Sequence, residues 1–352
     1  MSVLIGGIVG LLMGVILEDP LKKVWKKITR RFKLLFVKRK EIIDPYYFSL
    51  GNLITKFLVY DGDGEMTYSQ QNLETRLNNS MIKLPPDLKK LKENFARKED
   101  EKEKRGEKFS WNGPVLGLER FQITRSKLNE DMKVMFTFLP SDYYTFKALN
   151  SQLDTVLPDG KTVREKYILS HQDNEPIPYL SNAFGVGLVV ITKDKQVILT
   201  KRSPDSGVRP GEMDISIIEG VHPFQDKDNY SQGPDLFNTA IRGAKEELGL
   251  TIKSSNIKYL GFGLDKEYYQ WIILGVIHIN ESSEEIIKRR TRGISGKWEI
   301  TSLIFKPFTI DSIVNVIKNE KMWSTAKIAL YWALIYEFPN RNVDKRISKA
   351  FK

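Results

Sequence analysis

The stretch RGAKEELGL, residues 242–250, decides how the C-terminal half of this 352-residue chain is read. Wound as a helix, positions 243, 246 and 247 are related by i, i+3 and i+4 and share one face. That face carries Gly243, Glu246 and Glu247, with Arg242 beside it. Upstream, PDLFNTAI (234–241) continues the helical pattern, so that Phe237, Ala240, Ala244 and Leu248 fall on or near one apolar face. Gly249 supplies the C-terminal stop. Paired glutamates on solvated helices are common and by themselves mean nothing. Their meaning here comes from the segments on either side.

Those segments alternate strand and turn. FGVGLVVIT (184–192) and QVILTKRS (196–203) flank KDK and read as a β-hairpin. EMDISIIEG (212–220) reads as a further strand ending at glycine, and KYLGFGLDKEYYQWIILGVIHI (258–279) as two more. GKWEITSLIFKPF (296–308) follows, then helices over 310–319 and 323–337. The last of these includes IALYWALIYEF (328–338), apolar nearly all round but too short to cross a bilayer, hence a core helix.

This order resembles the Nudix fold, and 242–250 resembles the end of its box, R-E-U-x-E-E-x-G-U with U aliphatic. The resemblance covers roughly 182–338 and implies an α/β protein with a Nudix-like α/β/α sandwich at the C-terminus. In hydrolytic members three glutamates on the shared helix face hold Mg²⁺ or Mn²⁺ against a diphosphate, and the metal assists attack by water. The resemblance therefore implies Glu246 and Glu247 as metal ligands, Glu247 as a catalytic group, and Mg²⁺ as the cofactor. Glu299, in KWEI, resembles the late carboxylate that some members use as a base. The box departs from the pattern in two places. Its second position is Gly243 instead of Glu, and Gly220 lies twenty-two residues before Arg242 where the family spacing is fourteen. At the expected upstream acidic position stands Pro234, with Asp235 next to it. Gly243 then reads either as drift after loss of catalysis or as room for a close neighbour, and restoring Glu there is expected to raise turnover. Candidate ligand contacts are Arg202 and Arg209 for phosphates, and Phe184, Tyr268, Tyr269 and Trp298 for stacking on bases.

Charge and apolar pattern organise the rest. Of the formal net charge of +11, residues 1–40 carry ten Lys/Arg against Glu18 and Asp19, leaving +3 for the remaining 312 residues. A nucleic-acid-binding domain would carry its excess on the folded body, so no direct binding of DNA or RNA polymers is expected. SVLIGGIVGLLMGVIL (2–17) has no charge and, as a helix, reaches about 24 Å, close to a hydrocarbon core of about 30 Å. Gly6, Gly10 and Gly14 form two overlapping G-x-x-x-G units, which let membrane helices approach closely and associate. PLKKVWKKITRRFKLLFVKRK (20–40) places Leu21, Val24, Trp25, Ile28, Phe32 and Leu35 on one face among basic residues, the pattern of a helix lying on an anionic leaflet with Trp25 at the headgroups. The positive-inside rule then puts the bulk of the protein in the cytoplasm.

The expected organisation is a transmembrane helix (1–19), a basic amphipathic juxtamembrane helix (20–40), an α+β middle domain (41–178) and the Nudix-like domain (179–340). In the middle, VLGLERFQITR (115–125) and MKVMFTFL (132–139) read as a hairpin, and Ser141 or Asp142 as a helix N-cap. DGDGE (61–65) reads as a turn, and RKEDEKEKRGEK (97–108) as a solvated helix end or loop. The chain has no cysteine, which excludes disulfides, thiol catalysis and Cys-ligated zinc. The three histidines show no metal-ligand spacing.

As a whole the arrangement resembles the transmembrane Nudix effectors of bacterial cyclic-oligonucleotide antiphage signalling (CBASS). That resemblance implies a single-pass inner-membrane protein that binds a nucleotide messenger, forms a homo-oligomer and perturbs the lipid bilayer. Those effectors are often described with two membrane helices, whereas this chain offers one. A membrane-tethered Mg²⁺-dependent hydrolase of nucleoside-diphosphate derivatives is the alternative expectation, and a non-catalytic scaffold the third.

Overall fold

The computed structural model describes residues 46–125, 132–171, 175–204, 206, 208–227, 232–291, 300–339 and 341–352. The expectations for Gly6, Gly10, Gly14 and Trp25 lie outside the described residues, as do those for Trp298 and Glu299. Residues 46–352 form one compact unit.

Thirteen strands are described: β1 (Ser49–Leu50), β2 (Leu53–Ile54), β3 (Phe57–Asp61), β4 (Leu73–Leu77), β5 (Pro114–Arg125), β6 (Met132–Asp142), β7 (Phe184–Ile191), β8 (Gln196–Arg202), β9 (Met213–Asp214), β10 (Ile217–Gly220), β11 (Ile257–Asp265), β12 (Gln270–His278) and β13 (Ile300–Pro307). The α-helices described are α1 (Pro86–Lys104), α2 (Tyr143–Ala148), α3 (Leu236–Leu248), α4 (Ser283–Thr291), α5 (Ile310–Asn319), α6 (Ser324–Glu337) and α7 (Val343–Ala350). None of them is long and apolar enough to cross a membrane.

The main sheet runs β13-β8-β7-β12-β11-β3, with β10 also on β7 and β9 also on β8. Strand alternation sends its side chains to two cores. Val186, Leu188 and Val190 of β7, with Trp271, Ile273 and Ile277 of β12, face a core completed by Phe237, Ala240, Ala244 and Leu248 of α3. Val189, Ile191, Ile272, Leu274 and Val276 face the opposite core, closed by Ile313 and Ile317 of α5 and by Ala326, Leu330, Trp332 and Ala333 of α6. The sheet therefore lies between helices on both faces. Its parallel pair, β7 with β12, is buried on both sides, which explains why those two sequences are apolar without interruption.

The middle segment joins this body. The hairpin of β5 and β6 forms as expected, and Asp142 caps α2 by accepting from Thr145 N at 2.9 Å. Strand β4 pairs parallel to β6, and Phe136 and Phe138 of β6 pack on Phe184. β3 adds to the main sheet along β11, a pairing across some two hundred residues that no local pattern signals. DGDGE is a turn in which Asp63 Oδ1 accepts from Glu65 N at 2.8 Å. The charged run 97–108 ends α1, but Glu99 within it is buried. Its carboxylate accepts from Ser110 N at 2.6 Å and from Lys102 Nζ at 2.6 Å.

The stretch 212–220, expected as one strand, is broken into β9 and β10. Strands β7 and β8 pair only at the hairpin end, Ile191 with Val197. Beyond it the connecting segment fills the gap, β9 on β8 and β10 on β7. At the changeover the Ser216 hydroxyl accepts from Val190 N at 2.8 Å and donates to Ile198 O at 2.5 Å, satisfying one backbone group on each side.

Candidate functional site

Helix α3 starts at Asp235, whose side chain accepts from Phe237 N, and ends at Gly249 in the left-handed conformation. Its apolar face fixes its rotation against the sheet, and that rotation places Arg242, Gly243, Glu246 and Glu247 beside the end of β10.

Arg242 is the centre of the arrangement. Its Nε and Nη2 donate to the Asp226 carboxylate at 2.8 and 2.9 Å, in the bidentate geometry that matches guanidinium to carboxylate. Nη2 also donates to Gly220 O at 2.7 Å. Nη1 lies 2.8 Å from Glu219 Oε1 and 3.6 Å from Glu246 Oε2. Burial works against the guanidinium charge, but the bonds to Asp226 and the charge of Glu219 hold its pKa above the ordinary arginine value. Glu219 is pushed up to about 7. Burial is the main cause, partly offset by Arg242, and the charges of Glu246 and Asp226 add to the rise.

Asp226 is fully buried and also accepts from Thr239 Oγ1 at 2.9 Å and from His222 N at 2.7 Å. The acidic residue paired with Arg242 is Asp226, sixteen residues before it in the chain.

Gly243 has a specific neighbour. A Cβ built on it would lie 2.8 Å from Glu219 Cβ and 2.9 Å from Ile217 Cγ2. The close approach of β10 favours glycine here, and a glutamate at 243 would meet Glu219 and Ile217 unless the strand shifted. The carboxylate beside this part of the helix comes instead from the strand, as Glu219. Sequence reading passed over Glu219 because it appears only as the penultimate residue of an ordinary strand. Its adjacency to Gly220, where the strand ends, was the available signal.

Mg²⁺ needs hard oxygen ligands gathered around one point. The carboxylates are the right chemistry, but they are arranged otherwise. Glu219 and Glu246 turn to Arg242, and Glu247 Oε1 accepts from Ile218 N at 3.3 Å. Among the described residues no three His, Cys, Asp or Glu side chains converge as a metal site would require. As placed, these residues do not fit a preformed divalent-cation site.

The sequence-selected ligand contacts assemble elsewhere. Arg209, 5% exposed, lies between the rings of Tyr268 and Trp323, its guanidinium carbon 4.3 and 4.1 Å from their centroids. It lies 3.3 Å from Asp265 Oδ2 and 3.2 Å from Glu267 Oε2. Arg202 donates from Nε to Val208 O and from Nη2 to Ser206 Oγ, both at 2.9 Å. Asp214 lies nearby, 3.9 Å from Arg202 Nη1, and accepts from Trp323 Nε1 at 2.7 Å. Burial raises the pKa of both Asp214 and Asp265, against the opposing charges of Arg202 and Arg209 respectively. Phe184 and Tyr269 are core side chains, each 1% exposed, and the Tyr269 hydroxyl donates to Glu175 O at 3.1 Å.

No protein-family model matches the chain, and no curated protein does. Among solved structures, the chain is similar to the MutT protein from Methanosarcina mazei Go1 (13% identity, 46% of this chain and 96% of that one, TM-score 0.30). It is also similar to the MutT NUDIX hydrolase from Burkholderia pseudomallei (16%, 42% and 95%, TM-score 0.28). A third is a MutT/nudix family protein from Enterococcus faecalis (14%, 53% and 74%, TM-score 0.31). Likenesses this loose leave the chemistry of the site to be argued from its own residues.

Proposed function

We propose that this chain is a Nudix-like nucleotide-binding protein tethered to a membrane through residues 1–40, in which occupancy of the folded body, and not hydrolysis, is the functional event. One observation carries this reading. Position 243 of the box helix is a glycine packed against Glu219, and the carboxylates beside it turn to Arg242 and to Ile218 N instead of converging, where a hydrolase needs them gathered around a metal. The uncharged run 2–17 and the ten basic residues of 1–40 support the tether. Within this reading the ligand is a nucleotide messenger of the cyclic-oligonucleotide class, the location is the inner membrane with the folded body cytoplasmic, and Gly6, Gly10 and Gly14 pack neighbouring copies together on ligand binding.

The test is a parallel screen of binding and turnover with cyclic dinucleotides and nucleoside diphosphate derivatives, with and without Mg²⁺. Binding with negligible product is the expected result. Robust Mg²⁺-dependent hydrolysis abolished by Glu247→Gln would overturn the proposal.

A hydrolase reading is favoured by one observation, the Glu219 carboxylate held up to about 7. A carboxylate titrating near neutral pH is suited to taking a proton from water. In that case turnover would be lost in Glu219→Gln while nucleotide affinity stayed within about two-fold, the signature of a group acting on the reaction alone.

A further inference from the structure

The loop that follows β10, residues 221–227, is held rigidly from within and offers an aromatic ring to solvent. Asp226 anchors it to α3 through Arg242 and Thr239 and closes it on itself by accepting from His222 N at 2.7 Å. His222 Nδ1 then accepts from both Phe224 N and Gln225 N at 3.2 Å, so the ring proton lies on Nε2, a donor. Asp235 N donates to Asp226 O at 2.7 Å, and Lys227 bridges to Pro234. On this frame the Phe224 ring is 67% exposed. The imidazole of His222 stands edge-on to it at 5.9 Å, and Lys227 Nζ lies 5.7 Å from its centroid. The ring contributes little burial to folding, yet the backbone N–H groups of His222, Phe224, Gln225 and Asp226 around it are all hydrogen-bonded.

We propose that Phe224 is the ledge on which the base of a bound nucleotide stacks, with Lys227 facing the ligand's phosphate. This rests on the nucleotide-binding reading above and deepens it. Three features favour a nucleotide over an apolar partner. The platform is a single flat ring with an open face, of the size of one base, and base–aromatic stacking needs no more. A cation, Lys227, lies over the ring at 5.7 Å from its centroid, which suits an anionic ligand and not an aliphatic one. The loop is also continuous with the box. Gly220 O and Asp226 both bind Arg242, so the ring is held in fixed relation to the charged centre. Such preorganisation spares a ligand the entropy of ordering the loop.

The test is calorimetric titration of the full chain with ADP, UDP and cyclic di-AMP, for the wild type and for Phe224→Ala, Phe224→Trp and Lys227→Ala. The side chains changed are exposed, so the fold is expected to survive, and thermal denaturation of each variant checks this. Phe224→Ala is expected to weaken the ligand that binds by about five-fold or more, the fold-change of losing one stacked base. Phe224→Trp is expected to restore or tighten binding, and Lys227→Ala to make binding weaker and less sensitive to salt. Wild-type binding that Phe224→Ala leaves within two-fold would overturn this inference while leaving the nucleotide-binding reading intact. Failure of the wild type to bind any of the three would overturn both.

Discussion

Replacing Gly243 tests the packing of α3 directly, because two opposing effects of known size meet at one atom. In a helix interior, Gly→Ala gains about 1 kcal/mol from propensity. Against this, the new Cβ would lie 2.8 Å from Glu219 Cβ, 2.9 Å from Ile217 Cγ2 and 3.2 Å from Glu219 Cγ. Two of these neighbours sit close to the backbone of β10, and Ile217 is fully buried, so relief requires the strand to move. Overpacking of this kind costs about 1–3 kcal/mol. With both closest contacts under 3 Å the upper half of that range applies, and Gly243→Ala is expected to lose about 1–2 kcal/mol net, a fall of several °C in the thermal midpoint. Gly243→Glu adds a carboxylate beside Glu219 and Glu246 and is expected to cost about 3 kcal/mol or more without creating a hydrolase. Glu219→Gly removes the closest contact, so the Gly243→Ala/Glu219→Gly pair should show a coupling of at least about 0.5 kcal/mol toward rescue. Thermal and denaturant unfolding of the wild type and these four variants measures all of this. If Gly243→Ala stabilises the chain by the full propensity gain, or if Gly243→Glu gains diphosphate hydrolysis, the account of this glycine is wrong.

Three further outcomes are expected. Arg242→Ala leaves the fully buried Asp226 without its counter-ion and should destabilise the chain by about 3–5 kcal/mol; a loss under about 1 kcal/mol in urea unfolding would show that the pair is dispensable. Glu219 binds its proton more tightly when folded (about 7) than its ordinary value of 4.5, so the unfolded state releases the proton first as pH rises. Stability should therefore fall as pH climbs from about 4.5 to about 7 and level off above, and a stability–pH profile unchanged in Glu219→Gln would refute this. The full chain should stay with membranes through high-salt and carbonate washes and need detergent for release, whereas the chain lacking residues 1–40 should be found in the wash; recovery of the intact chain in the salt wash would contradict a spanning helix.

The sequence by itself located most elements of the C-terminal half, because these are set by short-range physics; α4 and α7 were not foreseen, and β9 and β10 read as one strand. The unbroken apolar runs of β7 and β12 are those of a parallel pair buried on both faces. The 3.6-residue pattern and Gly249 delimited α3, and Thr309 capped α5 where the helix was expected to begin. Arg242 and Glu246 were legible for the same reason, as was the face shared by 243, 246 and 247: a helix turns i, i+3 and i+4 into neighbours without help from the rest of the chain.

What the tertiary structure alone decided are the partners that come from far along the chain. β3 found β11 through backbone pairing, which carries no side-chain code. Phe184 and Tyr269, chosen as stacking residues for their chemistry, are buried by neighbours that sequence spacing does not reveal, Phe136 and Phe138 for the first and the Glu175 carbonyl for the second. Asp226 pairs with Arg242 across a loop, since a stretch in a loop moves residue numbers without moving the ends it joins. Gly243 reads in the sequence as a missing glutamate. In the fold it is the space that a strand side chain occupies, and only the approach of β10 to α3 could show that the carboxylate at this place is Glu219.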